Sequence, residues 1–202
     1  MSDAAVAGNV STMLIAGEDT TANSIAWLLQ LLHENPACLA KAAAEVAQLA
    51  SDPASYTLEA MDSLAYLDAC VSESMRLKPV APFVNLEPVQ DTVIADVAVP
   101  KGTVVMCLLR SDTMKDAHFK DAALFKPERW LDEVSPVDKR ISTPFGSGPR
   151  TCPGRYLALL EIKLAVAMLL ARFKLHSVTA RDGKPVQERF GFVMSPHALQ
   201  MR

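Results

Sequence analysis

Apolar residues recur at helical spacing along the first part of the chain. They continue to the histidine that precedes Asn35-Pro36, which predicts one long helix from Ser2 to about His33. Proline cannot continue that helix but suits the first turn of another, so a second helix is expected from Pro36 towards Leu49. The apolar positions that carry the first helix are Val6, Val10, Met13, Leu14, Gly17, Ile25, Leu28, Leu29 and Leu32.

The pattern changes twice beyond Ser51-Asp52-Pro53, which reads as a loop. Leu64 to Leu77 is again helical, and Pro79 ends this helix. Short β-rich pieces follow between Pro82 and Leu109, including Thr92–Ile94 and Thr103–Leu108 with a turn at Lys101-Gly102.

Proline and charged residues dominate from Asp112 to Pro144, where only short helices are expected. A long helix then follows Cys152 and runs to about Phe173. The remainder predicts short strands, with a hairpin turn at 181–184 (Arg-Asp-Gly-Lys). The sequence therefore predicts a mainly α fold with small β-sheets, in a single domain over residues 1–202.

Composition restricts the class of protein. Apolar residues make up 50% and charged residues 21% of the chain, as in globular proteins, and the net charge of −3 argues against binding to nucleic acid. The helical stretch 156–173 carries Glu161, Lys163 and Arg172, which would be costly in lipid. With no signal peptide in view, a cytoplasmic, soluble, bacterial-type protein is expected.

The four cysteines are widely separated, at positions 38, 70, 107 and 152. Without a Cys-x-x-Cys pair, neither a zinc site nor a disulfide framework is expected, and a reducing compartment fits better. The histidines at 33, 118, 176 and 197 also match no metal-ligand spacing.

One cysteine stands between a glycine-rich loop and a long apolar helix, in the run Pro144–Gly154. Backbone N–H donors and the positive end of the helix dipole favour an ionised sulfur at Cys152. Such a sulfur is a soft ligand that suits haem iron, among other metals. A buried thiol at a helix start is the alternative for an isolated cysteine.

The neighbours of Cys152 favour the metal ligand, because each has a role beside a flat macrocycle. Glycine at 146, 148 and 154 allows positive φ and close approach of the backbone. Phe145 limits water near the sulfur, and Arg150 can pair with a propionate through its planar fork. The string Phe-Gly-x-Gly-x-Arg-x-Cys-x-Gly resembles the cytochrome P450 family, the haem-thiolate monooxygenases.

This resemblance implies haem b with Cys152 as axial thiolate, and Phe145, Gly148, Arg150, Gly154 and Ala16 as cofactor-binding residues. A second match is the string Ala-Gly-x-Asp-Thr-Thr at residues 16–21. In the family it opens the distal helix above the haem, so Thr20 would be the alcohol and Asp19 the acid of a proton relay. A tolerated glycine with surface threonines is the alternative.

A third match is Glu-x-x-Arg at residues 73–76, followed by Pro-Glu-Arg-Trp at 127–130. A lone acid–base pair three residues apart on a helix is usually a surface ion pair. The resemblance instead implies a buried triad of Glu73, Arg76 and Arg129 that holds the irregular stretch under the haem loop. One departure is Leu86, where family members often have an arginine for a second propionate.

The resemblance covers the chain from end to end, but only as the C-terminal half of the family fold. The N-terminal half, with part of the pocket roof, is expected to be absent. Two functions stay open: a monooxygenase acting on a small apolar organic substrate, and a truncated, inactive haem-binding fragment or one needing a complementing N-terminal half. A peroxide-using enzyme is a third possibility that the Asp19-Thr20 pair disfavours.

Because no flavin or iron–sulfur motif occurs, a ferredoxin or flavoprotein reductase would have to supply electrons to such an enzyme. The segment 80–84 would line the substrate pocket, and its apolar residues suit an apolar substrate, although an ordinary core strand explains them equally well.

Overall fold

The computed structural model describes residues 1–132 and 138–202 and has the predicted mainly α architecture with small sheets. Six α-helices form its framework. Proline at the start of the third helix and glycine before the sixth mark two of the helix boundaries. The helices are α1 (Asp3–Gly17), α2 (Asp19–Glu34), α3 (Pro36–Val46), α4 (Leu58–Asp62), α5 (Ala65–Leu77) and α6 (Arg155–Arg172).

The first predicted helix is divided at Glu18, which belongs to neither helix although its φ of −88° and ψ of −69° lie at the edge of the right-handed α region. The break follows Gly17, and the hydroxyl of Thr20 donates a hydrogen bond of 2.8 Å to the carbonyl oxygen of Ala16. A hydroxyl bonded to the carbonyl four residues earlier bends a helix. The break therefore has a local cause in the sequence.

The hydrophobic core lies where α2, α3, α5 and α6 pack against one another. Leucine supplies most of the fully buried side chains of α2, and the apolar faces of α5 and α6 complete the cluster. Burial of these faces holds the four helices together. The core includes Leu28, Leu29, Leu32, Val46, Leu67, Cys70, Val71, Ile162, Val166 and Ala167.

The strands form four separate two-stranded antiparallel sheets. Two of them are local hairpins, and two join strands that are distant in the chain. The pairs are β1 (Phe83–Leu86) with β4 (Val105–Leu108), β2 (Thr92–Ile94) with β3 (Val97–Val99), β5 (Val178–Ala180) with β8 (Leu199–Met201), and β6 (Glu188–Phe190) with β7 (Met194–Pro196).

The prediction of a hairpin turn at residues 181–184 is wrong in one respect. Gly183 does make a tight turn, with φ +72° and its N–H bonded to the carbonyl of Ala180. However, β5 pairs with β8 rather than with β6, so the turn does not join partners in one sheet. The second predicted helix also ends earlier than Leu49, at Val46.

In the described part of the irregular stretch between β4 and α6, the helical elements are single turns of 3₁₀-helix at Asp112–Met114, Pro127–Trp130 and Gly148–Arg150. Residues 133–137 of this predicted stretch lie outside the described residues. Within 1–132 and 138–202, no helix has the length and apolar character needed to cross a bilayer.

Candidate functional site

The loop before α6 holds Cys152 at the surface in a fixed backbone conformation. The N–H of Cys152 donates to the carbonyl of Phe145 at 2.9 Å, which closes the loop. Gly146 and Gly148 adopt φ of +70° and +67°, and the N–H of Gly146 donates to Thr143 at 2.9 Å. A side chain at either glycine would be strained, so the sequence builds this turn with glycine.

The surroundings of the Cys152 sulfur suit a flat macrocycle. The thiol side chain is exposed, and a Cβ on Gly148 would have no atom within 4 Å. A Cβ on Gly154 would lie 3.9 Å from this Sγ, in ordinary van der Waals contact with it, so Gly154 lies next to the sulfur. Phe145 packs against the core beside it, and Arg150 is exposed. A soft, accessible ligand atom on a glycine-rich surface therefore fits haem iron.

At the helix break, the structure brings Ala16 and Thr20 together through the 2.8 Å hydrogen bond. This bond uses the hydroxyl hydrogen of Thr20, whose oxygen keeps lone pairs that can accept another hydrogen bond. Asp19 is exposed at the first turn of α2, and Glu18 is exposed beside it. A carboxyl group in contact with solvent can exchange protons with water.

The break also borders an open groove of about 410 Å³ against α6. The groove is lined by Gly17, Glu18, Thr21 and Ala22 on one side and by Glu161 and Leu164 of α6 on the other. Thr20 is not among the groove's lining residues, whereas its neighbour Thr21 is. The two adjacent threonines therefore have different surroundings.

Glu73, Arg76 and Arg129 form a buried ion cluster. The Glu73 carboxylate, with 0% exposure, accepts bonds of 2.8 and 2.9 Å from Arg76 and 3.0 Å from Nε of Arg129. Arg76 also donates to the carbonyls of Thr113 and Leu124, at 2.7 and 3.2 Å. Each of the three guanidinium nitrogens of Arg76 therefore has a partner, as burial of this charge requires.

Two donors to Glu73 were missed by sequence reasoning. The indole N–H of Trp130 donates to Oε2 at 2.9 Å, and the backbone N–H of Lys126 donates to Oε1 at 2.9 Å. The ring of Phe119 stacks on the Arg76 guanidinium, with its centre 5.0 Å from Cζ of Arg76. A half-buried tryptophan beside the arginine in Pro-Glu-Arg-Trp needs a hydrogen-bond acceptor, which was the available signal for Trp130.

A model of one protein family, cytochrome P450, matches residues 1–202, the whole of this sequence. The chain belongs to the cytochrome P450 family. Similarity to curated relatives supports the same family. It is 34% identical over 88% of its length to the mitochondrial 1,25-dihydroxyvitamin D(3) 24-hydroxylase of Rattus norvegicus. It is also 34% identical over 90% of its length to the cytochrome P450 monooxygenase AMT3 of Alternaria alternata.

A third relative is the self-sufficient cytochrome P450 monooxygenase CYP505AG1 of Oidiodendron maius, 34% identical over 87% of this chain. The chain spans about a third of the first two relatives, 34% and 38%, and 16% of the third. Because these P450 enzymes come from a rat and two fungi, one of them mitochondrial by name, the expectation of a bacterial-type protein receives no support.

Leu86 and the segment 80–84 were also singled out from the sequence. Leu86, in the place expected for a second propionate partner, is exposed at the end of β1. The segment 80–84 overlaps the start of β1, and its Pro82 and Phe83 line a second open groove of about 410 Å³ with Leu108, Arg110, Ser111 and Met114. Among the described residues, no group of three or more His, Cys, Asp or Glu side chains is arranged to hold a metal ion.

Proposed function

We propose that the chain carries the haem-thiolate site of a monooxygenase, with Cys152 as the axial ligand of haem b iron. The observation that supports this most is the exposed Cys152 thiol, held by the bond of its own N–H to Phe145 on a loop with two glycines at positive φ. Membership of the P450 family supports a haem-thiolate cofactor in general.

The residues around Cys152 would seat the cofactor. Phe145 would cover the sulfur and keep water from it, which tunes a metal–thiolate bond. Arg150 would bind a propionate through its guanidinium, because that group is exposed and matches a carboxylate in shape. Gly148 and Gly154 would let the ring approach the backbone.

Thiolate-ligated haem, when bound, supplies the activation of dioxygen that inserts one oxygen atom into an organic substrate. The protein's own contribution on the other side would be proton handling. The Thr20 oxygen would accept a hydrogen bond in the opening at Glu18, while Ala16 holds its hydroxyl in place. Asp19 would exchange protons with solvent at the same break.

We propose a small apolar organic molecule as the substrate, because the groove at Phe83 and Leu108 is bordered by apolar side chains. Electrons would come from a separate ferredoxin or flavoprotein reductase. One relative differs from this by name, because the P450 monooxygenase of Oidiodendron maius is described as self-sufficient.

A carbon-monoxide difference spectrum of the reduced, haem-loaded chain tests the ligand. Thiolate ligation gives a strongly red-shifted band, and we expect that band from the 202-residue protein. A spectrum with only the band of a nitrogen-ligated haem would overturn the proposal.

A second candidate function is haem binding without efficient turnover. It is favoured by the exposure of every residue of α1, including Leu14 at 71%. An uncovered distal helix leaves the reaction open to water, so that oxidising species decay without product. Substrate-dependent oxygenation by the purified chain with a reductase would eliminate this candidate, while a thiolate spectrum without turnover would support it.

A further inference from the structure

The carboxylate of Glu188 joins three elements that are far apart in the sequence. Its Oε1 accepts from Nζ of Lys78 at 2.6 Å, and its Oε2 accepts from Nη1 of Arg110 at 2.7 Å. Glu188 begins β6, Lys78 directly follows α5, and Arg110 lies two residues beyond β4. The three side chains are only 23–29% exposed, so this is not an ordinary surface pair.

The same contact continues into the core through an aromatic ring. Nζ of Lys78 lies 4.9 Å from the ring centre of Trp27, which is fully buried. The indole N–H of Trp27 donates to the carbonyl of Met194 on β7 at 3.0 Å. The N–H of Met194 in turn donates to the carbonyl of Val80 at 2.8 Å. Both strands of the β6–β7 hairpin are thus bonded to the end of α5 and the segment after it.

The hairpin places an aromatic side chain against the first residue of β1. The rings of Phe190 and Phe83 lie 5.4 Å apart at an angle of 46°. Phe83 borders the groove that Arg110 also lines, and Arg110 is bound to Glu188. We call the packed rings of Phe83 and Phe190 the apolar wall. The carboxylate of Glu188 therefore links the position of the hairpin to the shape of this wall.

The charge balance favours an ionised Glu188. Partial burial acts to raise the pKa of this carboxyl, but the hydrogen bonds and charges of Arg110 and Lys78 outweigh burial and hold the pKa below its ordinary value. A neutral amide at this position would leave both cations half-buried without their counter-charge, which is costly.

We propose that Glu188 is a positioning residue that fixes the hairpin of residues 188–196 against the segment 80–83 by bridging Lys78 and Arg110. It thereby sets the apolar wall made by Phe83 and Phe190, which selects for bulky apolar ligands. The selection of ligands rests on the proposed haem-thiolate function, whereas the positioning of the hairpin does not.

Amide exchange and NMR of the chain without haem test the positioning. In Glu188→Gln the Met194 amide should exchange roughly tenfold faster, and the ring contacts between Phe83 and Phe190 should weaken. Lys78→Met leaves the Arg110 pair in place, so it should accelerate exchange of the Met194 amide by a smaller factor. Adding Glu188→Gln to Lys78→Met should accelerate that exchange less than Glu188→Gln does in the parent.

The control is Asp182→Asn, which removes a neighbouring ion pair with Lys184 that lies within a single turn. It should leave Met194 exchange unchanged. The positioning role is overturned if Glu188→Gln leaves the exchange of Met194 as it was, or if Asp182→Asn alters it equally.

Ligand binding to the haem-loaded protein tests the wall. We expect Glu188→Gln to lower the preference for 4-phenylimidazole over imidazole roughly tenfold, while the Kd of imidazole itself stays unchanged. An unchanged preference with a loosened hairpin would overturn the role in ligand selection. Absence of a thiolate spectrum in the parent protein would instead refute the proposed function and leave the exchange result standing.

Discussion

At the scale of single residues, burial separates the four cysteines. Cys70 is fully buried in the core, where burial raises the pKa of its thiol and keeps it neutral and inert. Cys38 and Cys107 are partly covered, and Cys152 is the exposed cysteine of the four. The thiol that the glycine-rich string singles out is thus also the most accessible to an external metal.

Thr20 is the residue whose substitution separates proton handling from folding. Thr20→Ala removes the bond to Ala16 and the accepting oxygen, so electron consumption should become uncoupled from product formation in the proposed monooxygenase. Thr20→Ser should restore coupling. Product formed per electron consumed, with a reductase, is the measurement.

The matched control is Thr21→Ala, because Thr21 lines the groove against α6 instead. Coupling should remain at the parent level in this variant. If Thr20→Ala retained full coupling, the relay assignment would have to be abandoned.

The positive φ of Gly146 and Gly148 in the Cys152 loop was predictable from the sequence, whereas Gly154, predicted with them, has a φ of −83°. Trp130 and Lys126 were not identified, because a backbone donor and an indole 57 residues away leave no spacing pattern around Glu73. The Glu188 bridge was equally invisible, since Lys78 and Arg110 lie 110 and 78 residues from it.

At the scale of elements, α5 is tied to the irregular stretch mainly by Glu73. Its carboxylate accepts hydrogen bonds from Arg76 in the same helix. It also accepts hydrogen bonds from Arg129, Trp130 and the backbone N–H of Lys126 in the irregular stretch. Because both arginines depend on it, Glu73 holds in place the segment that leads towards the Cys152 loop.

Replacement of this carboxylate should therefore be severely destabilising. We expect Glu73→Gln to lower the free energy of unfolding by about 3–5 kcal/mol, since it leaves two guanidinium groups without their counter-charge. Denaturant unfolding of the chain measures this loss. Glu128→Gln, an exposed carboxylate in the same stretch, is the control, and a cost below about 1 kcal/mol at Glu73 would contradict the structural role.

Glu128 itself predicts a small pH effect. Burial acts to raise the pKa of this carboxyl, but the bonds from Lys41 and Tyr66 outweigh it, so the pKa lies below its ordinary 4.5. A lowered pKa means that stabilisation is complete above the ordinary value and is lost as pH falls through the folded value.

The difference in unfolding free energy between the parent and Glu128→Gln should accordingly be at most about 0.5 kcal/mol at neutral pH, because the pair is half-exposed. It should shrink as the pH falls below the carboxyl's ordinary pKa of 4.5. Unfolding curves across this range measure it, and a difference that grew on acidification would show that the sign is wrong.

Most helices were predictable from their periodicity, although the first predicted helix is two helices and α4 was not predicted, whereas strand pairing was not predictable. Apolar spacing located α5 within a residue and α6 within a few residues. The turn at Gly183 gives no information about the partner of β5, because β8 lies about 20 residues further along the chain. Pairing between such distant strands is decided by tertiary contacts that a local pattern does not contain.

At the scale of the whole molecule, the packing is uneven. Four helices share the core, whereas α1 has no buried residue and carries exposed Val10, Met13 and Ile15. A 15-residue helix without tertiary burial is marginally stable in water. α1, which ends at the helix break, is therefore less stabilised than the four core helices.

Hydrogen exchange should show this difference directly. Amides of α1 should exchange roughly a hundredfold or more faster than those of α5, because opening α1 exposes little apolar surface. Mass spectrometry of peptides from the two helices is the measurement. Equal protection in both helices would contradict the uneven packing.

Iron K-edge X-ray absorption of the haem-loaded chain tests the central claim most directly, because it detects sulfur bonded to iron. We predict a sulfur ligand in the parent and in Cys107→Ser, and its loss in Cys152→Ser. A sulfur ligand that persists without Cys152, or none in the parent, would contradict the account.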